Sequence, residues 1–161
     1  MTDQAAASRR ATTAARAGGI AYVVTGVGHL IVASLLKSTG EVLAVERQME
    51  ATHFPMTPRH SMADLMQGFS VAMAILLIAA GVSVLLRTRR GGTVDRAQLG
   101  VMLALSLALL VTAVLLLPAP PIVTMTFASI AFAVALGASP RSAPAMGDKR
   151  PADASPASIG A

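Results

Sequence analysis

Among the long apolar runs of this 161-residue chain, His29 is the only histidine. An imidazole surrounded by hydrocarbon can carry a proton, ligate a metal or join a hydrogen bond, so its position matters. Counted along its own run, it lies about 10 Å below the nearer, outer end at about 1.5 Å per residue. Ser70, Thr112 and Thr126 each sit about five residues inside the outer end of their own runs, about 7 to 8 Å deep by the same rise. With Gln67 just above Ser70, these residues define a candidate polar core or outward-facing cavity: His29, Gln67, Ser70, Thr112 and Thr126. The competing arrangement has each Ser and Thr bonding the carbonyl four residues back in its own helix. No carboxylate lies in any apolar run to pair with an imidazolium. His29 is therefore expected to face inward, uncharged, against a hydroxyl from another helix, with Ser70 the first candidate.

The segment before the second run carries a second set of polar groups. His60, Asp64 and Gln67 recur at i, i+4 and i+7, a spacing that would put them on one helical face, with Asp64 able to orient His60 as a relay or ligand. Ser61 and Asp64 also have the spacing of a capping box, and a carboxylate in a first turn suits the helix dipole. Met49, His53, Met56, His60, Met62 and Met66 fall within 18 residues. Thioether and imidazole together suit Cu(I), which makes His53, Met56, His60 and Met62 copper candidates. Methionine is equally a flexible gap filler where a helix enters lipid, and the spacings match no established copper motif, so no cofactor is expected.

Positioning these residues falls to elements of unusual composition. The chain is 54% hydrophobic and 13% charged, about half the charge of an ordinary soluble domain, with one Tyr, no Trp and no Cys. Cysteine nucleophiles, disulfides and thiolate metal sites are excluded outright. Uncharged runs extend over about 18–36, 65–86, 99–117 and 122–138, each long enough as a helix to cross a hydrocarbon core of about 30 Å. Continuous Leu- and Ala-rich runs are helical spans, not the short alternating segments of a membrane β-barrel. The first run exceeds a signal-peptide core and is expected to be retained. The predicted fold is all-α, a membrane-spanning antiparallel four-helix bundle over 17–138, with a flexible N-terminus over 1–16 and a disordered Pro-, Ala- and Ser-rich tail over 139–161. Between the first two spans, Glu41 to Ala51 is expected to form a short helix that lies on the outer surface or caps the bundle, with Pro55 and Pro58 breaking the chain before the second span.

Charge sets the orientation. Ten Lys and Arg lie on the side that holds both termini and the second loop, against three in the first loop, which predicts cytoplasmic termini in a bacterial inner membrane. The net charge of +5 sits at span ends and in short flanks without interleaved aromatics, which argues for lipid headgroups and against nucleic acid. Helix association in lipid relies on small residues, and Gly100, Ala104, Ala108 and Thr112 form a row four apart that is the expected seam of the third span. Ser129, Ala133 and Gly137 on the fourth span, and Gly68 and Ala72 on the second, form shorter rows.

Gly28-His29-Leu30, Met66-Gln67-Gly68-Phe69-Ser70 and a short Pro-rich turn between the last two spans together resemble a group of small uncharacterised bacterial four-helix membrane proteins, similar in architecture to DoxX-like proteins. The resemblance covers roughly residues 17 to 138. It implies the four-helix topology and brings no established reaction, substrate or cofactor. With no phosphate loop, HExxH or GxSxG site and no paired buried carboxylates, the chain is expected to be non-enzymatic: an accessory or interaction subunit that meets the bilayer and a second copy or a partner membrane protein. The alternative is a small-molecule, quinone or metal-ion handler built on His29.

Overall fold

A computed structural model describes residues 2–35, 37–54, 57–89, 95–117 and 119–139 of the chain. Among these, the long helices are α1 (Thr2–Leu35), α3 (Met62–Arg89), α4 (Arg96–Leu116) and α5 (Ala119–Ala138), with a shorter α2 (Gly40–Ala51) and a two-stranded antiparallel hairpin, β1 (His53–Phe54) and β2 (Thr57–Ser61), after α1. The four long helices are long and apolar enough to cross a membrane. They pack as an all-α antiparallel bundle in which α1 lies between α3 and α5, and α5 lies between α1 and α4.

The helix boundaries differ from the apolar runs in ways that residue chemistry explains. The N-terminal segment, expected to be flexible over 1–16, is helical from Thr2 onward. Its alanines are strong helix formers, and Ala11 and Ala15 are buried, so tertiary packing adds to propensity. α1 is thus about 50 Å long and outreaches a hydrocarbon core of about 30 Å. The prolines read as a turn before the fourth span belong to it: Pro120 and Pro121 occupy the first turn of α5, where a missing N–H costs no helical hydrogen bond. The expected short helix is α2, opened by Gly40 at φ +60°, a left-handed conformation that a side chain would resist. The tail beyond Ser139 lies outside the described residues.

The core is a stripe on each helix. On α5 it runs Met125, Ala128, Ser129, Ala131, Phe132 and Ala135, and on α4 it is Leu99, Met102, Ser106 and Ala113. Tyr22 of α1 is fully buried beside Phe132, the two rings edge to face with centroids 6.0 Å apart. Its hydroxyl meets Ser106 Oγ at 2.9 Å. Because the Ser106 hydroxyl donates to the Met102 carbonyl at 2.8 Å, its one proton is committed and Tyr22 is the donor between them. α1, α4 and α5 are joined at this point.

The expected seam is not where α4 packs. Ala104, Ala108 and Thr112 are exposed, and nothing lies within 4 Å of a Cβ built on the partly buried Gly100. α4 meets its partner along a repeat of about 3.5 residues, which Leu99, Met102, Ser106 and Ala113 follow. Ala104 and Ala108 each lie two residues from Ser106, just over half a turn in a helix of about 3.6 residues per turn, so the row occupies the face opposite the packed one. Ala133 and Gly137 on α5, and Gly68 and Ala72 on α3, are exposed for the same reason, and only Ser129 of those rows is buried.

Close approach occurs between α1 and α3. A Cβ on Gly81 would lie 2.5 Å from the Gly19 carbonyl oxygen, and one on Gly26 would lie 2.7 Å from that of Ala74. The partners are seven residues apart on each helix, Gly19 and Gly26 facing Gly81 and Ala74, so the backbones touch at successive heptads of an antiparallel pair.

Candidate functional site

That contact places His29. It lies three residues beyond Gly26 on α1, and Ser70 lies four residues before Ala74 on α3, so the next meeting point of the two helices falls between them. His29 Nε2 and Ser70 Oγ are 2.6 Å apart, in a partly buried position. Either ring tautomer satisfies the pair, with the hydroxyl donating to an unprotonated Nε2 or accepting from Nε2–H. Ser70 thus binds the imidazole instead of its own helix.

The rest of the expected polar layer does not assemble. Thr112 donates to Ala108 O at 3.0 Å and Thr126 to Ile122 O at 2.8 Å, both exposed, and Gln67 is exposed on α3. A hydroxyl in an apolar run finds its nearest acceptor one turn back, and depth along a helix does not say which way it points. Thr25, Ser34, Ser129 and Ser139 make the same kind of bond, to Ala21, Leu30, Met125 and Ala135.

The outer-mouth face is also rearranged. His60 lies in β2, and α3 begins only at Met62, so His60, Asp64 and Gln67 do not share one helical face. Asp64 completes the capping box: its Oδ2 accepts from the Ser61 N–H at 2.9 Å and from the Ser61 hydroxyl at 3.0 Å, and its own N–H donates to Ser61 Oγ at 3.1 Å. The carboxylate is committed to starting α3, and no hydrogen bond joins it to His60 among the described residues.

The copper candidates are not gathered either. His53 pairs in register with Ser61, which sets His60 on the opposite strand face, and both imidazoles are exposed. Met62 instead lines a groove of about 280 Å³ with Met49, Met66, Val45, Gln48 and Thr52, between α2 and the start of α3. Met56 lies outside the described residues. No three His, Asp or Glu side chains are grouped to hold a metal ion among the described residues.

No family model, curated protein or solved structure matches this chain. A Cβ built on Gly28 or Gly68 would meet nothing within 4 Å among the described residues, so neither glycine serves a close helix approach there.

Two arginines at the opposite end of the bundle were not singled out by residue type. Arg16 of α1 donates through Nη2 to Thr88 O at 2.7 Å, and Arg96 of α4 donates through Nη1 to Ser139 O at 2.5 Å. Each guanidinium reaches a carbonyl at the end of a neighbouring antiparallel helix, α3 or α5, where the last turn leaves carbonyls free and the dipole is negative. A legible signal existed: Arg16 and Arg96 stand just ahead of apolar runs, and Arg87 to Arg90 close one. Tyr22 offered another, as a phenol inside a span needs a partner.

Proposed function

We propose that the chain is a non-enzymatic, four-span integral protein of the bacterial cytoplasmic membrane, an accessory or interaction subunit with both termini in the cytoplasm. The observation that carries this reading is the use made of the polar groups in the spans. His29 is bonded to Ser70, Tyr22 to Ser106, and the hydroxyls of Thr25, Thr112, Thr126 and Ser129 to their own helices. Such groups hold a bundle together in lipid and leave little to act on a substrate. The outward faces are apolar over their length, with Phe69, Leu76, Val101, Leu115 and Leu116 exposed, as a surface for acyl chains or a partner's helices requires. The orientation rests on the imbalance of Lys and Arg. The likeness to DoxX-like proteins supports the same topology through the quoted motifs.

The alternative, a small-molecule, quinone or metal-ion handler, is favoured by one observation, the titratable His29 held in a partly buried pair. Native mass spectrometry of the chain extracted in mild detergent separates the two. The accessory reading expects a stoichiometric complex with itself or another membrane protein. A monomer that retains a quinone or metal, and loses it in His29→Gln, would support the alternative.

A further inference from the structure

We propose that the groove between α1 and α3 at the end bearing Arg16 and Arg89 is a binding site for one anionic phospholipid. This rests on the membrane-spanning reading. The groove has a volume of about 450 Å³ and is lined by Arg16, Ile20, Val82, Leu85, Leu86, Thr88 and Arg89. Its polarity is graded along the helix axes. Arg16 and Arg89 stand at the span ends, Ile20 follows Arg16 by one turn, and Leu86 and Val82 precede Arg89 by one and two turns. Charge at one end and hydrocarbon wall toward the bundle's middle match the profile of a phospholipid, with phosphate at the interface and acyl chain beneath it.

The charge at the rim is suited to phosphate. Arg16 spends Nη2 on Thr88 O, which anchors the guanidinium at the groove and leaves further N–H donors on the same planar fork. Arg89 supplies a second guanidinium from the facing helix, so a phosphate seated there would be held from both sides. The end concerned is the one where Lys and Arg accumulate. By the positive-inside rule it faces the leaflet in which basic pockets between helices meet anionic headgroups. A zwitterionic lipid would bring its own ammonium to the same rim and lose part of the attraction. The selected class is therefore phosphatidylglycerol-like, with net negative charge.

The test is a native mass spectrometry titration of the full chain in mild detergent with dioleoylphosphatidylglycerol and, separately, dioleoylphosphatidylcholine. Carbonate-resistant membrane association is measured on the membranes from which each preparation is extracted. One phosphatidylglycerol is expected to bind in preference to phosphatidylcholine, and Arg89→Gln should weaken it about fivefold, the worth of one interfacial cation. Val82→Trp, which fills the groove without touching the arginines, should abolish the preference, and Arg10→Gln, exposed on α1 away from the groove, should not alter it. Arg16→Gln also removes the contact to Thr88, so Arg89 and Val82 carry the test. Equal binding of the two lipids overturns the proposal, as does an unchanged affinity in both Arg89→Gln and Val82→Trp, or an equal loss in Arg10→Gln. A chain extracted by carbonate overturns the membrane-spanning reading and the site with it. A carbonate-resistant chain without lipid preference overturns the site alone.

Discussion

Gly81 of α3 sits against the backbone of Gly19 of α1 so closely that a methyl group on Gly81 would lie 2.5 Å from the Gly19 carbonyl oxygen. Neither backbone can yield without separating the helices, because the obstructing atom is main chain and not the tip of a side chain. Gly81→Ala is expected to lower bundle stability by about 1–3 kcal/mol, as overpacking does in a tight core. Gly100→Ala, where nothing lies within 4 Å, should be neutral or stabilising by up to about 1 kcal/mol through helix propensity. Thermal melting in detergent followed by circular dichroism compares the two directly.

The exposed row on α4 gives the complementary expectation. Ala104→Leu and Ala108→Leu, on an exposed face that packs against no helix among the described residues, should shift the melting midpoint little, by less than about 0.5 kcal/mol. Ser106→Leu, fully buried against Tyr22, should cost about 1–3 kcal/mol on the same assay.

These two sets of variants also show how far the chain could be read unaided. The spans were legible because each apolar run is long enough by itself to satisfy the bilayer. The His29–Ser70 contact was legible because depth along two antiparallel helices fixes a level. The seam was not: four-residue rows of alanine on α4 are indistinguishable by composition from a packed face, and only the partner helix selects Leu99, Met102 and Ser106. The heptad spacing of Gly19 and Gly26, matched by Ala74 and Gly81, was present in the chain but paired residues on helices whose adjacency composition does not reveal. Thr112 and Thr126 were at the expected depth and pointed away. The helical N-terminus was hidden by its arginines, which mark it as polar, although one face carries Ala11 and Ala15 into the core.

Tyr22 tests the junction of α1, α4 and α5. Tyr22→Phe keeps the ring contact with Phe132 and removes one buried hydrogen bond, leaving the Ser106 hydroxyl still bonded to Met102 O, so a loss of about 0.5–1.5 kcal/mol is expected. Tyr22→Ala also opens a cavity, and should cost about 3–5 kcal/mol. Equal effects of the two, by detergent melting, would mean that the ring is not packed.

His29 separates a structural from a chemical role. Replacement by Ala removes the partner of Ser70 and should cost about 1–3 kcal/mol, whereas Gln keeps donor and acceptor capacity and should retain most of the stability and any cellular phenotype. A Gln variant that melts like the parent yet loses the phenotype would assign the imidazole a proton or ligand role.

The proposed topology is measured by alkaline phosphatase fusions at Thr52, between α2 and the hairpin, and at Ala154, near the C-terminus. Four spans with ten Lys and Arg on the side that holds both termini, taken as cytoplasmic under the proposed orientation, predict an active, exported enzyme at Thr52 and an inactive one at Ala154. Activity at Ala154, or its absence at Thr52 in a stably expressed fusion, would contradict the account.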